Sequence, residues 1–380
     1  MKITKLFSEF FDSEKAGGFL LIGCTILSLL LANSAWGGEY LDFLHIQFAG
    51  HSLVHWINDG LMTIFFLLIG LELEREIYQG ELSNFSDALL PIFAAAGGLL
   101  IPAGIYLLFN FGTEAQSGAG IPMATDIAFA LGILSLLGSR VPLSVKVFLT
   151  ALAVIDDLAA IIVIAIFYSK TIFLGNLLAS LGIFALLFVL GRMKVKNLTP
   201  YIIGGIAMWY FMLNSGVHAT ITGVLLAFAI PFGNDGEKST SYRLQHMLHK
   251  PVAFFIMPIF ALANTAIIFD SNIAEVLTQH YSLGIALGLI IGKPLGIFLL
   301  AYCGVAFGIC KLPGDMSWKT LTWVGFLGGI GFTMSIFITL LAFEDETIIN
   351  HAKLVILISS LVAGSIGYIG LRKSLPARIS

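Results

Sequence analysis

Asp156 and Asp157 are adjacent carboxylates within an apolar run, residues 149–168, that is long enough to cross a bilayer. A charged side chain at the centre of a bilayer costs about 2.5–3.5 kcal/mol on insertion scales. Two neighbouring carboxylates also repel each other, so the pair needs a proton, a cation or an opposite charge to compensate it. We therefore predict a proton or cation site inside a membrane protein.

Two further ionisable residues, Asp126 and Lys293, have apolar surroundings, and both stand beside residues that interrupt a helix. Asp126 follows a glycine-containing segment with Pro122, and Lys293 immediately precedes Pro294. A third break is the glycine-rich stretch 328–331. Broken helices expose half-helix ends at mid-membrane, where secondary transporters build ion sites. The alternatives are a purely structural role for Lys293 and helix-end compensation, rather than ion binding, for Asp126.

These residue types predict competition between protons and a small alkali cation. Such a cation prefers oxygen ligands, and protons bind the same carboxylates. Lys293 is the candidate that neutralises Asp156 when no cation is bound. If only occupied sites change their access from one side to the other, the two ions are exchanged.

The composition indicates a polytopic membrane protein. Of 380 residues, 58% are hydrophobic and 11% are charged, whereas soluble domains carry about 25% charged residues. The net charge of −3 gives no indication of nucleic-acid binding. Cys24, Cys303 and Cys310 show no metal-ligand spacing, so we interpret them as packing residues and expect no cofactor beyond the transported ions.

The hydropathy pattern predicts one all-α domain, residues 1–380, with about twelve spanning helices. The predicted spans are 16–33, 54–74, 87–109, 121–138, 144–168, 172–191, 199–213, 215–232, 251–270, 281–309, 320–343 and 351–371. The breaks fall in predicted helices 4 and 11, which is compatible with two three-helix units, helices 3–5 and 10–12, in inverted orientation.

The basic residues predict the orientation of these spans. With the N-terminus in the cytoplasm, 17 of the 20 Lys and Arg residues lie on the cytoplasmic side. Lys170 alone lies on the opposite side, and Lys293 and Lys353 lie within helices. This asymmetry follows the positive-inside rule and places both termini in the cytoplasm.

Three segments outside the spans carry local predictions. Residues 1–15 are read as a cytoplasmic segment, either a short interfacial helix or a solvated tail. Alternation of apolar and polar residues within 34–53 predicts a small external β-hairpin, with a plain loop as the alternative. The loop 233–250 is polar and predicted to be flexible.

Several long motifs resemble the NhaA family of sodium/proton antiporters. They are ATDIAFALGIL, LGSRVPLSVKVFLTALAVIDDLAAI, SGVHATITGV, GKPLGI and GIGFTMSIFI, in this order, and further similarity through GLELERE and RLQHMLHKPVAFFIMPIFALAN extends the match over nearly the whole chain.

The resemblance implies roles for residues at matching positions. Asp157 corresponds to the principal Na⁺ ligand and Asp156 to its partner in cation and proton binding. Lys293 corresponds to the lysine that pairs with Asp156, and Asp126 and Thr125 to the acid and threonine at the crossing of the broken helices. The family exchanges two protons for one Na⁺ or Li⁺, is activated at alkaline pH and forms homodimers, partly through an external hairpin. A bacterial inner-membrane location is expected.

The chain departs from the family in the region tied to the pH response. Gln245 stands where the family has a glutamate before two histidines, and Glu74-Arg75 replaces a basic pair. His218 matches a histidine that affects the pH response, with a hydrogen-bonded packing role as the alternative. The residues that the resemblance connects with the pH response are Glu72, at the cytoplasmic entry, and Arg243, Gln245, His246, His249 and His218.

Two other classes of membrane protein use intramembrane acids. Intramembrane aspartyl proteases need two aspartates on different helices facing one water, whereas Asp156 and Asp157 are neighbours about 100° apart on one helix. A cation channel favours rings of charges or carbonyls from several subunits, which one acid pair with one lysine does not provide. We therefore favour the antiporter.

Overall fold

The computed structural model describes residues 5–169, 171–233, 239–269 and 273–375, and within these ranges the chain is almost entirely helical. The α-helices are α1 (Lys5–Ala32), α2 (Gly37–Leu44), α3 (Leu53–His55), α4 (Met62–Tyr78), α5 (Phe85–Asn110), α6 (Ile127–Ser135), α7 (Leu143–Phe167), α8 (Leu174–Arg192), α9 (Thr199–Leu213), α10 (Ile221–Ala229), α11 (Thr240–Pro251), α12 (Met257–Asn264), α13 (Ile273–Thr278), α14 (His280–Leu287), α15 (Lys293–Ala306), α16 (Trp318–Gly328), α17 (Phe332–Ala342) and α18 (Glu346–Ser374). The strands are β1 (Gln47–Phe48) and β2 (His51–Ser52).

The helices confirm an all-α polytopic membrane protein. Eight helical segments of the described chain are long and apolar enough to cross a bilayer, and two bent helix pairs raise the number to ten. The predicted number of twelve is not confirmed, because the helices at two predicted spans are short. Helix α9 has 15 residues and α10 has nine, whereas a straight crossing takes about 20.

The segment after the first span, which is predicted to be external, contains a helix followed by a short β-hairpin. Helix α2 turns by 116° from α1, and the two-residue strands β1 and β2 pair in antiparallel register. Tyr40 and Leu44 lie four residues apart on one face of α2. Leu44 is buried, and the Tyr40 hydroxyl donates to the Leu262 carbonyl oxygen at 2.8 Å. Packing of this face favours helix over residues 37–44, and the antiparallel pairing within the segment is limited to β1 and β2.

Two predicted non-spanning segments also contain helix. Residues 5–15 form the first part of α1 and are continuous with the first span, while residues 1–4 lie outside the described chain. The second half of the loop predicted over 233–250 is helix α11, where the Ser239 hydroxyl accepts the backbone N–H of Tyr242 at 3.2 Å as an N-cap. The prediction of a flexible loop was wrong there, because α11 is an amphipathic helix whose many polar residues were read as a loop.

The breaks predicted in helices 4 and 11 are present. Predicted helix 4 consists of a 3₁₀ segment, Glu114–Met123, a non-helical stretch at 124–126, and α6. Predicted helix 11 consists of α16 and α17, whose axes are bent by 47° relative to each other. The glycine and proline residues at these positions weaken helix continuity, so backbone groups become available at mid-membrane.

Close contact between α5 and α15 positions Lys293. Gly97 and Gly296 lie at their crossing, and a Cβ atom on either glycine would collide with the carbonyl oxygen of the other. Small residues allow such close approach between membrane helices. Lys293 lies one turn before Gly296, directly after the π-helical turn Gly288–Gly292, and is fully buried.

Candidate functional site

The two broken spans meet at Asp126, which caps a half-helix of each. Its Oδ1 accepts the backbone N–H of Phe129 at 2.9 Å, at the start of α6. Its Oδ2 accepts the backbone N–H of Thr333 at 3.1 Å and the Thr333 hydroxyl at 2.5 Å, at the start of α17. The backbone N–H of Asp126 donates to the Ile330 carbonyl oxygen at 2.7 Å. A single buried carboxylate thus satisfies orphan donors of two helix N-termini, whose dipoles favour its negative charge.

Lys293 and Asp156 form a fully buried ion pair beside this crossing. Lys293 Nζ donates to Asp156 Oδ2 at 2.7 Å, and it also donates to the Met123 carbonyl oxygen. The Thr125 hydroxyl lies 2.7 Å from the same Asp156 oxygen and 2.8 Å from the Gly328 carbonyl oxygen. Its single hydrogen can be donated to either acceptor. The pair therefore lies at the breaks of both spans, beside the end of the 3₁₀ segment and the end of α16.

Asp157 has no such partners. Both of its carboxylate oxygens, and Asp156 Oδ1, are buried and have no hydrogen-bond partner among the described residues. An unsatisfied buried polar atom is uncommon and costly, and a buried carboxylate that lacks a partner is more so. Three orphan carboxylate oxygens on adjacent residues therefore fit a site that receives protons or a hard cation as cargo.

The charges around Asp157 favour uptake of positive charge. The charged groups that interact with it are Asp156, Asp126, Glu72 and Lys293. Four carboxylates thus share the ammonium group of Lys293, with the Arg75 guanidinium as a further positive charge near Glu72. Because charges in a low-dielectric interior must be compensated, the fully ionised, empty cluster is unfavourable, and binding of protons or a metal cation relieves it.

A small cavity connects the crossing to Glu72 on α4. It has a volume of about 20 Å³ and is lined by Asp126, Thr333 and Glu72 among others. A cavity of ~10–15 Å³ is large enough for one water molecule, so this one has the volume for about one water between the two acids. Glu72 is buried, and the side chain of Gln245 on α11 lies close to it. We call this space the inner cavity.

The structure brings together only some residues that the resemblance connects with the pH response. Glu72 and Gln245 are in contact, and His249 is buried on the same helix as Gln245. Arg243 and His246 are exposed on α11. His218 lies elsewhere, with Nε2 2.8 Å from the Tyr168 carbonyl oxygen, which fits its packing alternative.

Sequence reasoning assigned no role to Thr333 or to the carbonyl groups that complete the site. Thr333 provides two donors to Asp126, and the carbonyls of Met123, Gly328 and Ile330 accept from Lys293, Thr125 and Asp126. The position of Thr333 just after a glycine break was an available signal, because the first N–H groups of a half-helix need an acceptor.

Comparisons with known proteins show which family the chain resembles. The family model described as Na⁺/H⁺ antiporter 1 matches residues 8–371. The chain is 71% identical to the Na⁺/H⁺ antiporter NhaA of Flavobacterium psychrophilum over 98% of this chain and 97% of the relative. It is 60% identical to the protein of the same name from Cytophaga hutchinsonii, over 100% of this chain and 98% of the relative. The NhaA of Vibrio cholerae is 48% identical over 99% of this chain and its own full length.

Proposed function

The chain belongs to the NhaA family of Na⁺/H⁺ antiporters, and from that premise we propose that it exchanges cytoplasmic Na⁺ for external H⁺ at Asp157 and Asp156. A protein of this family is a transporter and not an enzyme. The observation that carries the residue assignment is the set of three orphan carboxylate oxygens on these two buried aspartates.

In the proposed cycle, protons and Na⁺ occupy the same oxygens in turn. Na⁺ binds Asp157 as its principal ligand, with Asp156 as the second carboxylate. The fit is chemical, because Na⁺ is a hard cation that prefers oxygen donors. When the ion leaves, a proton neutralises Asp157, and the protonated Lys293 neutralises Asp156 through their 2.7 Å contact. An empty, ionised site is too costly in the interior to change sides, so the two fluxes are coupled.

Asp126, Thr125 and Lys293 support the site rather than bind the ion as principal ligands. Both oxygens of Asp126 are engaged in capping the half-helices. This assignment also disfavours an intramembrane aspartyl protease, because Asp126 is the acid from a second helix that such a mechanism would need.

We further propose a ratio of two protons for one Na⁺, with Li⁺ as an alternative cargo of the same chemistry. This ratio moves one net charge per cycle, so the membrane potential contributes about 2.3 kcal/mol per 100 mV. The exchange would then be electrogenic and would serve sodium and pH homeostasis.

The proposed setting is the bacterial cytoplasmic (inner) membrane, with both termini in the cytoplasm and with a homodimer as the assembly. The bias of basic residues supports this orientation. Glu72 would then lie at the cytoplasmic entry, with the inner cavity leading from it towards Asp126. Activation at alkaline pH is assigned to the Glu72–Gln245 region.

Proteoliposomes with an acidic interior test the exchange. External Na⁺ is expected to collapse the pH gradient, because each entering Na⁺ drives protons outward. Asp157→Asn should abolish the response, and Asp42→Asn, on the exposed face of α2, should leave it unchanged. Entry of ²²Na⁺ without any counter-movement of protons would overturn the antiporter assignment.

A further inference from the structure

A cavity lies between the first turns of α5 and α7 and is bordered by the loop that follows α15. Its volume is about 600 Å³, within the range of roughly 300–1,000 Å³ that is usual for pockets that bind small molecules. Both helices begin on the side of the membrane that is proposed to be cytoplasmic, so the cavity belongs to that side. We call it the α5–α7 cavity. None of the residues that line it belongs to the ion site.

The inner walls of the α5–α7 cavity are apolar. They are formed by Leu90 and Pro91 of α5 and by Val147, Phe148 and Ala151 of α7. Four of these residues are buried, and Val147 is partly exposed. Removing hydrocarbon from water is favourable, so walls of this kind suit an alkyl or acyl chain rather than a hydrated ion.

The mouth of the cavity carries one negative and one positive charge. Asp87, in the first turn of α5, and Lys311, in the loop after α15, are both exposed, and they are the charged residues among the described ones that line the cavity. They form no ion pair with each other or with any other described side chain. Asp87 Oδ2 accepts only a neutral donor, Asn84 Nδ2, at 2.8 Å. The mouth is therefore complementary to a ligand that has both an ammonium and an anionic group.

Ser144, in the first turn of α7, adds a hydroxyl group to the lining. Its Oγ is buried and has no hydrogen-bond partner in the part of the chain that the structure describes. Buried polar atoms normally have a partner, so this hydroxyl fits an acceptor on a ligand. The first turn of α7 contains no acidic residue, and the dipole of the helix favours an anion such as a phosphate there.

Apolar side chains in the loop after α15 place the mouth at the membrane surface. The span that contains α15 ends at Ala306. Phe307 is 79% exposed, and Ile309, which lines the cavity, is 47% exposed. Large apolar side chains that are exposed just beyond the end of a span lie in the interfacial layer of a bilayer. A ligand can therefore enter the cavity from the membrane.

We propose that the α5–α7 cavity binds one phosphatidylethanolamine molecule of the cytoplasmic leaflet. The ammonium group of the lipid donates to Asp87, its phosphate accepts from Lys311 and Ser144, and an acyl chain lies against Leu90 and Phe148. Phosphatidylcholine has the same charges, but its quaternary ammonium has no N–H to donate to a carboxylate. Phosphatidylglycerol has no cation for Asp87. The inference goes beyond the proposed exchange and does not depend on it, because it requires only that the chain is embedded in a membrane.

Photocrosslinking in nanodiscs tests this site. The full-length protein is reconstituted in phosphatidylcholine nanodiscs with a trace of phosphatidylethanolamine that carries a diazirine on an acyl chain. After illumination, peptide mass spectrometry should place crosslinks within residues 143–151 of α7 and 308–313 of the loop. Unlabelled phosphatidylethanolamine added to the nanodisc lipid should remove these crosslinks, whereas the same fraction of phosphatidylglycerol should not. A phosphatidylcholine probe with the same diazirine should crosslink less at these residues.

Asp87→Asn and Lys311→Gln test the two charges separately. Each should lower crosslinking of the phosphatidylethanolamine probe in the cavity by about two- to fivefold, the effect of losing one exposed ion pair. Asp315→Asn and Lys319→Gln are the matched controls. Both residues are exposed a few positions further along the chain and do not line the cavity, so crosslinking should be unchanged.

Four results would overturn the inference. Phosphatidylglycerol that competes as well as phosphatidylethanolamine would show that only the phosphate is recognised. Equal crosslinking of the phosphatidylcholine probe would show that the ammonium group is not recognised through its N–H donors. Crosslinks confined to residues outside the cavity would place the lipid elsewhere. Equal behaviour of Asp87→Asn and Asp315→Asn would remove the carboxylate from the site.

Discussion

Removing the ammonium group of Lys293 should destabilise the protein more than removing both members of its ion pair. Lys293→Met keeps an unbranched chain but leaves Asp156, which is fully buried, without its 2.7 Å partner. Loss of one member of a buried pair costs about 3–5 kcal/mol, because the remaining charge is uncompensated. Asp156→Asn in the same molecule removes that charge and retains an acceptor for Thr125. The double variant should therefore recover most of the lost stability.

The expected shift in melting temperature follows from the size of the chain. An unfolding entropy of ~2.1 cal/mol/K per residue, over 380 residues, gives about 0.8 kcal/mol per degree. Lys293→Met should then lower the melting temperature by roughly 4–6 °C. The assay is the fraction of purified protein that stays monodisperse on size exclusion after heating in detergent. A Lys293→Met protein as stable as wild type, or a double variant whose loss equals the sum of the single losses, would refute the ion-pair reasoning.

Three further predictions use the same heating assay or transport. Asp126→Ala removes caps from two half-helices and should lower the free energy of unfolding by about 1–4 kcal/mol. Thr333→Val retains the backbone N–H donor to Asp126 and should lower it by less. Equal losses of stability in the two variants would contradict capping of both half-helices by Asp126. Gly296→Ala overpacks the α5–α15 crossing and should cost about 1–3 kcal/mol, while Gly104→Ala, which has open space around it, should be neutral. Gln245→Glu places a second acid against Glu72 and should shift the pH midpoint of Na⁺-driven proton movement; identical pH profiles would show that position 245 does not set the midpoint.

The sequence was most informative where a residue contradicts its surroundings. Charged residues in apolar runs stand out because their burial is costly, and glycine and proline mark helix breaks through the backbone itself. These local signals were enough to locate Asp126, Asp156, Asp157 and Lys293 and to place the breaks in the fourth and eleventh predicted spans.

Contacts between distant segments could not be predicted from local patterns alone. Thr125 reaches Asp156 across 31 residues, Lys293 reaches Asp156 across 137, and Asp126 reaches Thr333 across 207. Only the folded arrangement shows that both oxygens of Asp126 accept hydrogen bonds, while those of Asp157 have no partner in the part of the chain that the structure describes. Helix α2 was missed for a related reason, because its conformation depends on packing against the Leu262 backbone.

Proton release on Na⁺ binding measures whether Na⁺ and H⁺ compete for the carboxylates of Asp156 and Asp157. NaCl is added to purified protein in weakly buffered detergent solution containing a pH indicator, over a series of starting pH values, with choline chloride as the salt control. We expect saturable release of protons by the wild-type protein and none by Asp157→Asn, because Na⁺ and H⁺ occupy the same carboxylate oxygens. Na⁺ binding without proton release, or equal release by Asp157→Asn, would contradict it.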